Sequence, residues 1–415
     1  MKVCFETFGC RLNRAEALEE EAKYIARGWE VTDSHADAHL IIVRGCSVTA
    51  RAQHDCEKTI EHLKQKYPHA RVIVTGCLPS ANKTYKVNPT PLRNVAFSKD
   101  NNSAPPIPTR TARAYLKVQD GCSGHCAFCI VPQFRGKSTS IPFDTLLDKA
   151  KRFLDAGYHE IVLTGCNLVQ YNDNGRRLPD LLAALATLIP VPRCVSPAAY
   201  PSNPKPTPFR VRLGSIEPGP VALDVASVMA EHPNICRFLH IPVQSGSNQV
   251  LKAMKRPYTV HDVESLVDSA LSKMPLIGLG CDLIAGFPGE TPNDHFASLG
   301  LLKRLSFNNA HVFPFSKRPG TPAALLLSQI TREIRHGRAH ELANLIRAQR
   351  IQFAKKFMNK DVEIVLESED RGTGWTSEYL PCEILNKNRL TAKRKDLVRV
   401  HVTDIHEDRL KATFV

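Results

Sequence analysis

The feature that most constrains this sequence is a unit that occurs three times before residue 80. Each unit is a short apolar strand, a Gly-Cys pair and a helix-like stretch, and the pairs are Gly9-Cys10, Gly45-Cys46 and Gly76-Cys77. Strands that alternate with helices predict a parallel sheet. Ligands of such sheets bind beyond the carboxyl ends of the strands. The three cysteines are therefore predicted to converge on one point, and three ordinary turn cysteines are the alternative.

Similar strand–helix units follow a proline- and asparagine-rich stretch, residues 88–110, which is typical of a linker. Apolar segments at 161–165, 210–213, 238–241 and 280–284 predict the strands of a full or partial barrel. Residues 190–208 hold seven prolines and are interpreted as a surface insertion. The last part of the chain alternates like half-exposed strands, at 362–367 and 397–402, which predicts a small antiparallel barrel.

The sharpest chemical signal is the segment Gly121-Cys122-Ser123-Gly124-His125-Cys126-Ala127-Phe128-Cys129. Its CxxxCxxC spacing lets three thiolates on one loop bind three irons of a cubane cluster, which leaves the fourth iron open. A structural zinc site instead needs four ligands, usually in paired CxxC spacing. His125 adjoins Cys126 and is poorly placed to bind the same metal. The loop therefore predicts a catalytic iron–sulfur cluster.

Charge and cysteine usage narrow the class of protein. The chain has 55 Lys and Arg against 41 Asp and Glu, a formal charge of +14, which favours a polyanionic partner such as nucleic acid. A basic surface kept for solubility is the alternative. Neither an apolar run of bilayer length nor an apolar leader is visible, so a cytosolic protein without a membrane partner is expected. In a reducing compartment its thirteen cysteines are metal ligands or buried apolar residues rather than disulfides.

The cluster loop with Phe128 resembles the signature of the radical-SAM enzymes, and further motifs resemble the methylthiotransferases among them. These motifs share the family's order along nearly the whole chain: residues 5–13, 117–122, 129–136, 215–218, 240–247, 286–291 and 313–316. Two details depart from the family pattern, namely Arg44-Gly45 before Cys46 and Leu78-Pro79 after Cys77. The six thiolates themselves are intact.

The resemblance implies an α/β protein of three parts. These are an N-terminal parallel α/β domain at 1–88, a radical-SAM partial (β/α) barrel at 108–350 and a small C-terminal antiparallel β-barrel (TRAM) at 356–415 that binds RNA. It implies two [4Fe–4S] clusters, one on Cys122, Cys126 and Cys129 as the catalytic cysteines and an auxiliary one on Cys10, Cys46 and Cys77. It also implies S-adenosylmethionine, one equivalent as methyl donor and one as radical source, with a reductase and a sulfur source as partners.

Other residues are assigned less sharply. Four residues are candidates for binding S-adenosylmethionine: Phe128, Ser215, Glu217 and Gln244. For Glu217, an ordinary surface carboxylate is an equally good interpretation. The remaining cysteines are expected to be buried fillers: Cys4, Cys56, Cys166, Cys194, Cys236, Cys281 and Cys382. Cys166 stands out among them, because it follows a predicted strand end.

Branches of the family differ in target. The segments 318–324, 374–381 and 403–408 most resemble the branch that modifies N6-threonylcarbamoyladenosine beside the tRNA anticodon. Alternatives are N6-isopentenyladenosine in tRNA and an aspartate of a ribosomal protein. A rival of another class is an inactive iron–sulfur protein that binds RNA, although binding alone has no use for an open iron.

Overall fold

The computed structural model describes residues 1–81, 106–108, 110–188, 209–389 and 392–414. The predicted insertion at 190–208, with Cys194, lies outside the described residues, and so does most of the predicted linker. The chain divides into two compact units. The first comprises residues 1–110, 121–123 and 129–137, and the second comprises residues 111–120, 124–128 and 138–415.

The first unit contains the predicted parallel sheet. Its elements in chain order are β1 (Lys2–Thr7), α1 (Arg11–Ala26), β2 (Glu30–Val31), β3 (Leu40–Gly45), α2 (Ala50–Lys66), β4 (Arg71–Gly76) and α3 (Leu78–Ala81). The strands pair in the order β2-β1-β3-β4, and all pairs are parallel. Residues 40–43 of the central strand β3 are buried on both faces, which suits their uninterrupted apolar run.

The second unit begins with repeated strand–helix pairs. The first elements are β5 (Ala114–Lys117), β6 (Gln119–Asp120), α4 (Val131–Arg135), β7 (Thr139–Ser140), α5 (Phe143–Asp155) and β8 (Glu160–Thr164). Of these, the short helix α4 belongs to the first unit. Those that follow are β9 (Asn172–Asp173), β10 (Arg176–Arg177), α6 (Leu178–Ala186), β11 (Arg210–Arg212), α7 (Pro220–Glu231), β12 (Phe238–Gln244), α8 (Asn248–Ala253), α9 (Val260–Lys273), β13 (Gly278–Ala285), α10 (Pro292–Leu305), β14 (Asn309–Pro314) and α11 (Arg332–Lys355).

Six of these strands form the wall of a partial barrel in the order β5-β8-β11-β12-β13-β14. All paired neighbours run parallel, and isolated parallel bridges at Val211–Ile235 and Ser215–His240 connect the two halves of the wall. Sequence signals fix where the helices begin. For example, Thr291 and Asp294 form a capping box at the start of α10. In the described part of the chain, no helix is both long and apolar enough to cross a bilayer.

The predicted C-terminal barrel is also confirmed. It is closed and consists of β15 (Asp361–Ser368), β16 (Thr373–Thr376), β17 (Pro381–Ile384), β18 (Leu397–His406) and β19 (Arg409–Phe414). Its pairs are antiparallel except for β17 with β19, which is parallel. Alternate side chains fill the interior, among them Val398, Val400 and Val402 of β18.

A buried ion cluster joins the partial barrel to the small barrel. The Glu160 carboxylate accepts hydrogen bonds from Nε of Arg210 at 2.6 Å and from Nε of Arg212 at 2.8 Å. The same arginines donate to the main-chain oxygens of Trp375 at 2.7 Å and Thr376 at 2.8 Å. Burial alone would raise the pKa of Glu160, but the two guanidinium groups outweigh it and hold that pKa well below its usual range. The charges are thus satisfied only while both barrels are in place.

We predict that Glu160→Ala destabilises the second unit by about 3–5 kcal/mol, because it leaves two buried guanidinium groups without their anion. Urea unfolding followed by Trp375 fluorescence in a Trp29→Phe background measures the loss. Asp148→Ala is the matched control, since Asp148 is 77% exposed in its ion pair with Lys151 and its loss is expected to cost under about 0.5 kcal/mol. Equal stability of the two variants would contradict the assigned role.

Candidate active site

The three Gly-Cys turns lie at the carboxyl edge of the first sheet. Cys10 follows β1, Cys46 follows β3 and Cys77 follows β4. At Gly9, where φ is +93°, an added Cβ would lie 2.6 Å from Cβ and 2.7 Å from Sγ of Cys46. Glycine is therefore required there both by its conformation and by the close approach of the second turn.

The other two turns are equally tight. The N–H of Cys77 donates to the carbonyl of Gly45 at 3.1 Å. A Cβ on Gly76, whose φ is +83°, would lie 2.7 Å from that same carbonyl. The third turn therefore rests directly on the second, and the first contacts the second through Gly9.

The ionisation of Cys46 depends on burial and on the other two thiols. Burial, with smaller contributions from the thiols of Cys10 and Cys77, raises the pKa of Cys46 to about 11. Burial also raises the pKa of Cys77, which Arg135 partly offsets through a hydrogen bond. Thiolates so close together in a poorly hydrated site need a cationic partner, and an iron–sulfur cluster supplies one. The donor set thus fits such a cluster.

Polar side chains hold these turns in place. The fully buried Asn13 donates through Nδ2 to the carbonyl of Phe8 at 2.9 Å and to that of Gly45 at 3.1 Å. Arg135, in the same unit, donates to Oδ1 of Asn13 at 3.0 Å and to Glu16 at 2.9 Å. The Arg135 guanidinium therefore links Cys77 to Asn13, which fastens the first turn to the second.

The CxxxCxxC loop is described in two parts. In the first unit, the N–H of Cys122 donates to the carbonyl of Gly136 at 3.0 Å. In the second unit, Ala127 follows Cys126, and its N–H donates to the carbonyl of Met254 at 2.9 Å. Cys122, Cys126 and Cys129 form no disulfide and are partly buried. Their convergence on one cluster remains the prediction that their spacing makes.

Arg256 is the functional residue that the sequence analysis missed. Its Nη1 lies 3.0 Å from Sγ of Cys126, its Nε donates to the Tyr258 hydroxyl at 2.8 Å, and it forms an ion pair with Glu217. Burial alone would lower the pKa of Arg256, but the tyrosine, the cysteine and the carboxylate together raise it. The side chain is therefore a fixed cation beside Cys126. No local motif distinguishes it in a single sequence.

Glu217 is not an ordinary surface carboxylate. Its side chain is 12% exposed, and besides Arg256 it accepts a hydrogen bond from Nδ2 of Asn167 at 2.8 Å. The structure therefore brings Glu217 and Cys126 together through one arginine. The direct contact with S-adenosylmethionine that was predicted for Glu217 stays a prediction.

The other predicted cofactor residues lie at separate places in the second unit. Phe128 packs against an apolar cluster that includes Phe287 and Phe315. Ser215 is exposed and bridges to β12. Gln244 ends β12 with a left-handed φ of +64°, next to a shift in strand register. Such strain in a residue other than glycine is common at functional sites.

The expected filler cysteines are buried in five cases: Cys4, Cys56, Cys236, Cys281 and Cys382. Cys166 is an exception, because it is only partly buried and its Sγ lies 3.7 Å from Oδ1 of Asp120. A buried-filler role for Cys166 is therefore wrong.

Comparisons with known proteins agree with this arrangement. Residues 116–301 match the Radical SAM superfamily, and residues 2–96 match the Uncharacterized protein family UPF0004. The chain is 28% identical to the threonylcarbamoyladenosine tRNA methylthiotransferase MtaB of Bacillus subtilis, over 91% of this chain and 89% of that protein. It is 29% identical to the tRNA-2-methylthio-N(6)-dimethylallyladenosine synthase of Chlorobium chlorochromatii, over 88% and 86%.

Among solved structures, the radical S-adenosylmethionine methyltransferase TsrM of Kitasatospora setae has a similar fold, with a TM-score of 0.52 at 13% identity over 78% of this chain and 77% of that one. An iron–sulfur cluster and S-adenosylmethionine are the cofactors that follow from the superfamily match. The fold, the two matched segments and the similarity over most of the chain's length together support a radical-SAM methylthiotransferase.

Proposed function

We propose that this enzyme converts N6-threonylcarbamoyladenosine, next to the anticodon of tRNA, to its 2-methylthio derivative. One [4Fe–4S] cluster binds Cys122, Cys126 and Cys129, and a second binds Cys10, Cys46 and Cys77. The observation that carries the proposal is the packing of the three Gly-Cys turns, whose glycines leave no room for a Cβ. A chain that only cleaved S-adenosylmethionine would not need this second group of thiols.

When bound, the clusters and S-adenosylmethionine supply the one-electron chemistry and the sulfur for the reaction. The chain's own residues provide ligands, fixed charges and shape. Glycine at positions 9 and 76 lets three sulfur-bearing turns meet. Asn13 and Arg135 then keep those turns from separating when the charge of the site changes.

Arg256 has a corresponding role at the other thiol group. Its guanidinium is held between Glu217 and Cys126, so its position stays fixed when the charge on the sulfur changes. Hydrogen bonds and positive charge at cluster sulfurs favour the reduced form. Arg256 therefore raises the reduction potential of the cluster that Cys126 binds.

The net charge and the small barrel support RNA as the substrate. The small barrel carries several lysines and arginines between residues 387 and 399, but three of these side chains have partners in the protein. Lys387 contacts the Asp370 carbonyl at 3.2 Å, Lys395 lies over the Tyr158 ring at 4.1 Å, and Arg399 pairs with Asp361 at 2.9 Å. Lys393 is exposed and is a candidate for contacts with tRNA phosphates.

The choice of threonylcarbamoyladenosine rests on the three segments that resemble that branch. One of them, residues 318–324, follows β14 and is anchored within the partial barrel: the N–H of Ala323 donates to the carbonyl of Ala127 in the cysteine loop at 2.8 Å. The branch-specific segment therefore contacts the loop that carries Cys126. The second candidate is the isopentenyladenosine branch, since a relative of that type is 29% identical.

We predict that Arg256→Gln lowers the midpoint potential of the cluster on Cys122, Cys126 and Cys129 by on the order of 60 mV, about a tenfold change in its reduction equilibrium. The measurement is an EPR-monitored redox titration in a background where Cys10, Cys46 and Cys77 are alanine, so that one cluster remains.

Two controls separate charge from folding in that titration. Arg304→Gln removes an exposed arginine that also pairs with a glutamate, Glu264, and is expected to leave the potential unchanged. Arg256→Gln with Glu217→Gln avoids a buried unpaired carboxylate and is expected to keep part of the shift. A potential equal to that of the wild type in both Arg256 variants would exclude the assigned role.

The substrate is tested with two anticodon stem-loops that differ only in the modified adenosine. We expect the reconstituted enzyme to methylthiolate the threonylcarbamoyladenosine RNA at least tenfold faster than the isopentenyladenosine RNA, measured by nucleoside mass spectrometry under anaerobic conditions. Preference for the isopentenyl RNA would overturn the branch and keep the enzyme class. Formation of 5′-deoxyadenosine without either product would overturn tRNA as the substrate.

A further inference from the structure

Three potential metal ligands meet on neighbouring strands of the partial barrel. His240 lies on β12, Asp282 on β13 and His311 on β14, where Asp282 and His311 are paired in register. Nε2 of His240 is 3.1 Å and Nδ1 of His311 is 3.0 Å from Oδ1 of Asp282. The three ligand atoms all lie within 4.8 Å of one another.

His240 lies on the face of β12 opposite Leu239 and Ile241, and Asp282 lies on the face of β13 opposite Cys281. Those three apolar neighbours are buried. Phe238, two residues before His240 and on its face of β12, stacks on Tyr379, and Arg212 of β11 lies over the same ring. Residues of β11 and β12 therefore meet on the face of β12 that carries His240.

Among the described residues, Asp282 pairs with no lysine or arginine. Its side chain is 22% exposed, and its ion-pair partners are the two imidazoles. Buried charges are normally paired or bound to a metal. Since an imidazole bound to a metal is neutral, a cation placed between the three groups would balance the carboxylate.

The geometry fits a zinc-type ion. With Zn–N bonds of about 2.0 Å, two imidazoles on a tetrahedral ion have ring centres about 5 Å apart. The ring centres of His240 and His311 are 5.2 Å apart. Gly280 contributes to this arrangement, because a Cβ there would lie 2.6 Å from Nδ1 of His240 and would displace its ring.

We propose that His240, Asp282 and His311 bind one divalent transition-metal ion of the zinc class, held between β12, β13 and β14. Three protein ligands leave a fourth position open, as in catalytic rather than structural zinc sites. His311 is 59% exposed, so the open side of the site faces solvent. The ion there is a Lewis acid available to an anionic oxygen of a bound molecule.

The test uses the full-length chain with its clusters reconstituted, dialysed against Zn²⁺ and examined by X-ray absorption at the zinc edge. One zinc per chain is expected, with nitrogen and oxygen neighbours at about 2.0–2.1 Å and the scattering signature of two imidazoles. His311→Ala and Asp282→Asn are expected to weaken zinc retention at least tenfold. His336→Ala, which removes an exposed histidine of α11, is the matched control and should retain zinc.

Two outcomes would overturn the site. A sulfur shell at about 2.3 Å would place the zinc on cysteines instead. Equal zinc retention in the His311, Asp282 and His336 variants would show that these ligands do not hold the ion, and the cluster would then be a histidine–aspartate hydrogen-bond relay. Zinc retention is measured independently of methylthiotransferase activity, so neither outcome decides the proposed function.

Discussion

The absence of a side chain at three strand ends is the constraint on which the N-terminal unit depends. Gly9 faces Cys46, Gly45 faces Leu78, and Gly76 faces the Gly45 carbonyl, in each case at a distance that excludes a Cβ. Parallel strands bring their carboxyl ends to the same edge, but that alone leaves neighbouring turns several ångströms apart. Removing three Cβ atoms closes that gap, so each turn with its cysteine lies directly against a neighbouring turn.

In the second unit, buried ion pairs instead of glycines fix the positions of neighbouring elements. Glu160 and its two arginines fasten the partial barrel to main-chain oxygens of β16. Such ions are costly to bury and are compensated only by complete pairing, so the contact defines one position of the small barrel against the larger one. Arg256 is confined in the same way between Glu217 and Cys126. In both places an arginine is fixed by an anion, and its remaining donors are directed at a second group.

Much of this could be predicted from the sequence because its signals are local. Apolar runs such as residues 40–43, the Gly-Cys pairs and the CxxxCxxC spacing each identify an element or a ligand without tertiary information. The predicted three-part α/β fold is confirmed. The side chains that tune the site were not predictable, because Arg256, Glu217 and Asn167 come from distant parts of the chain. The group of His240, Asp282 and His311 was not predictable either, because these residues are far apart in the sequence and meet only when β12, β13 and β14 pair. Cys166 was misassigned because a lone cysteine after a strand gives no sign of its exposure.

We propose that the two groups of thiols divide the reaction between them, and the most direct measurement of this division compares Cys46→Ala with Cys56→Ala. Cys56 is the matched control, because its buried sulfur lies 3.4 Å from the Cys46 main-chain nitrogen and yet is assigned no iron. For Cys46→Ala we predict that iron falls from about eight to about four per chain. We also predict that 5′-deoxyadenosine formation continues and that the methylthiolated nucleoside disappears, while Cys56→Ala keeps all three. Full iron content and product formation in Cys46→Ala would contradict the account.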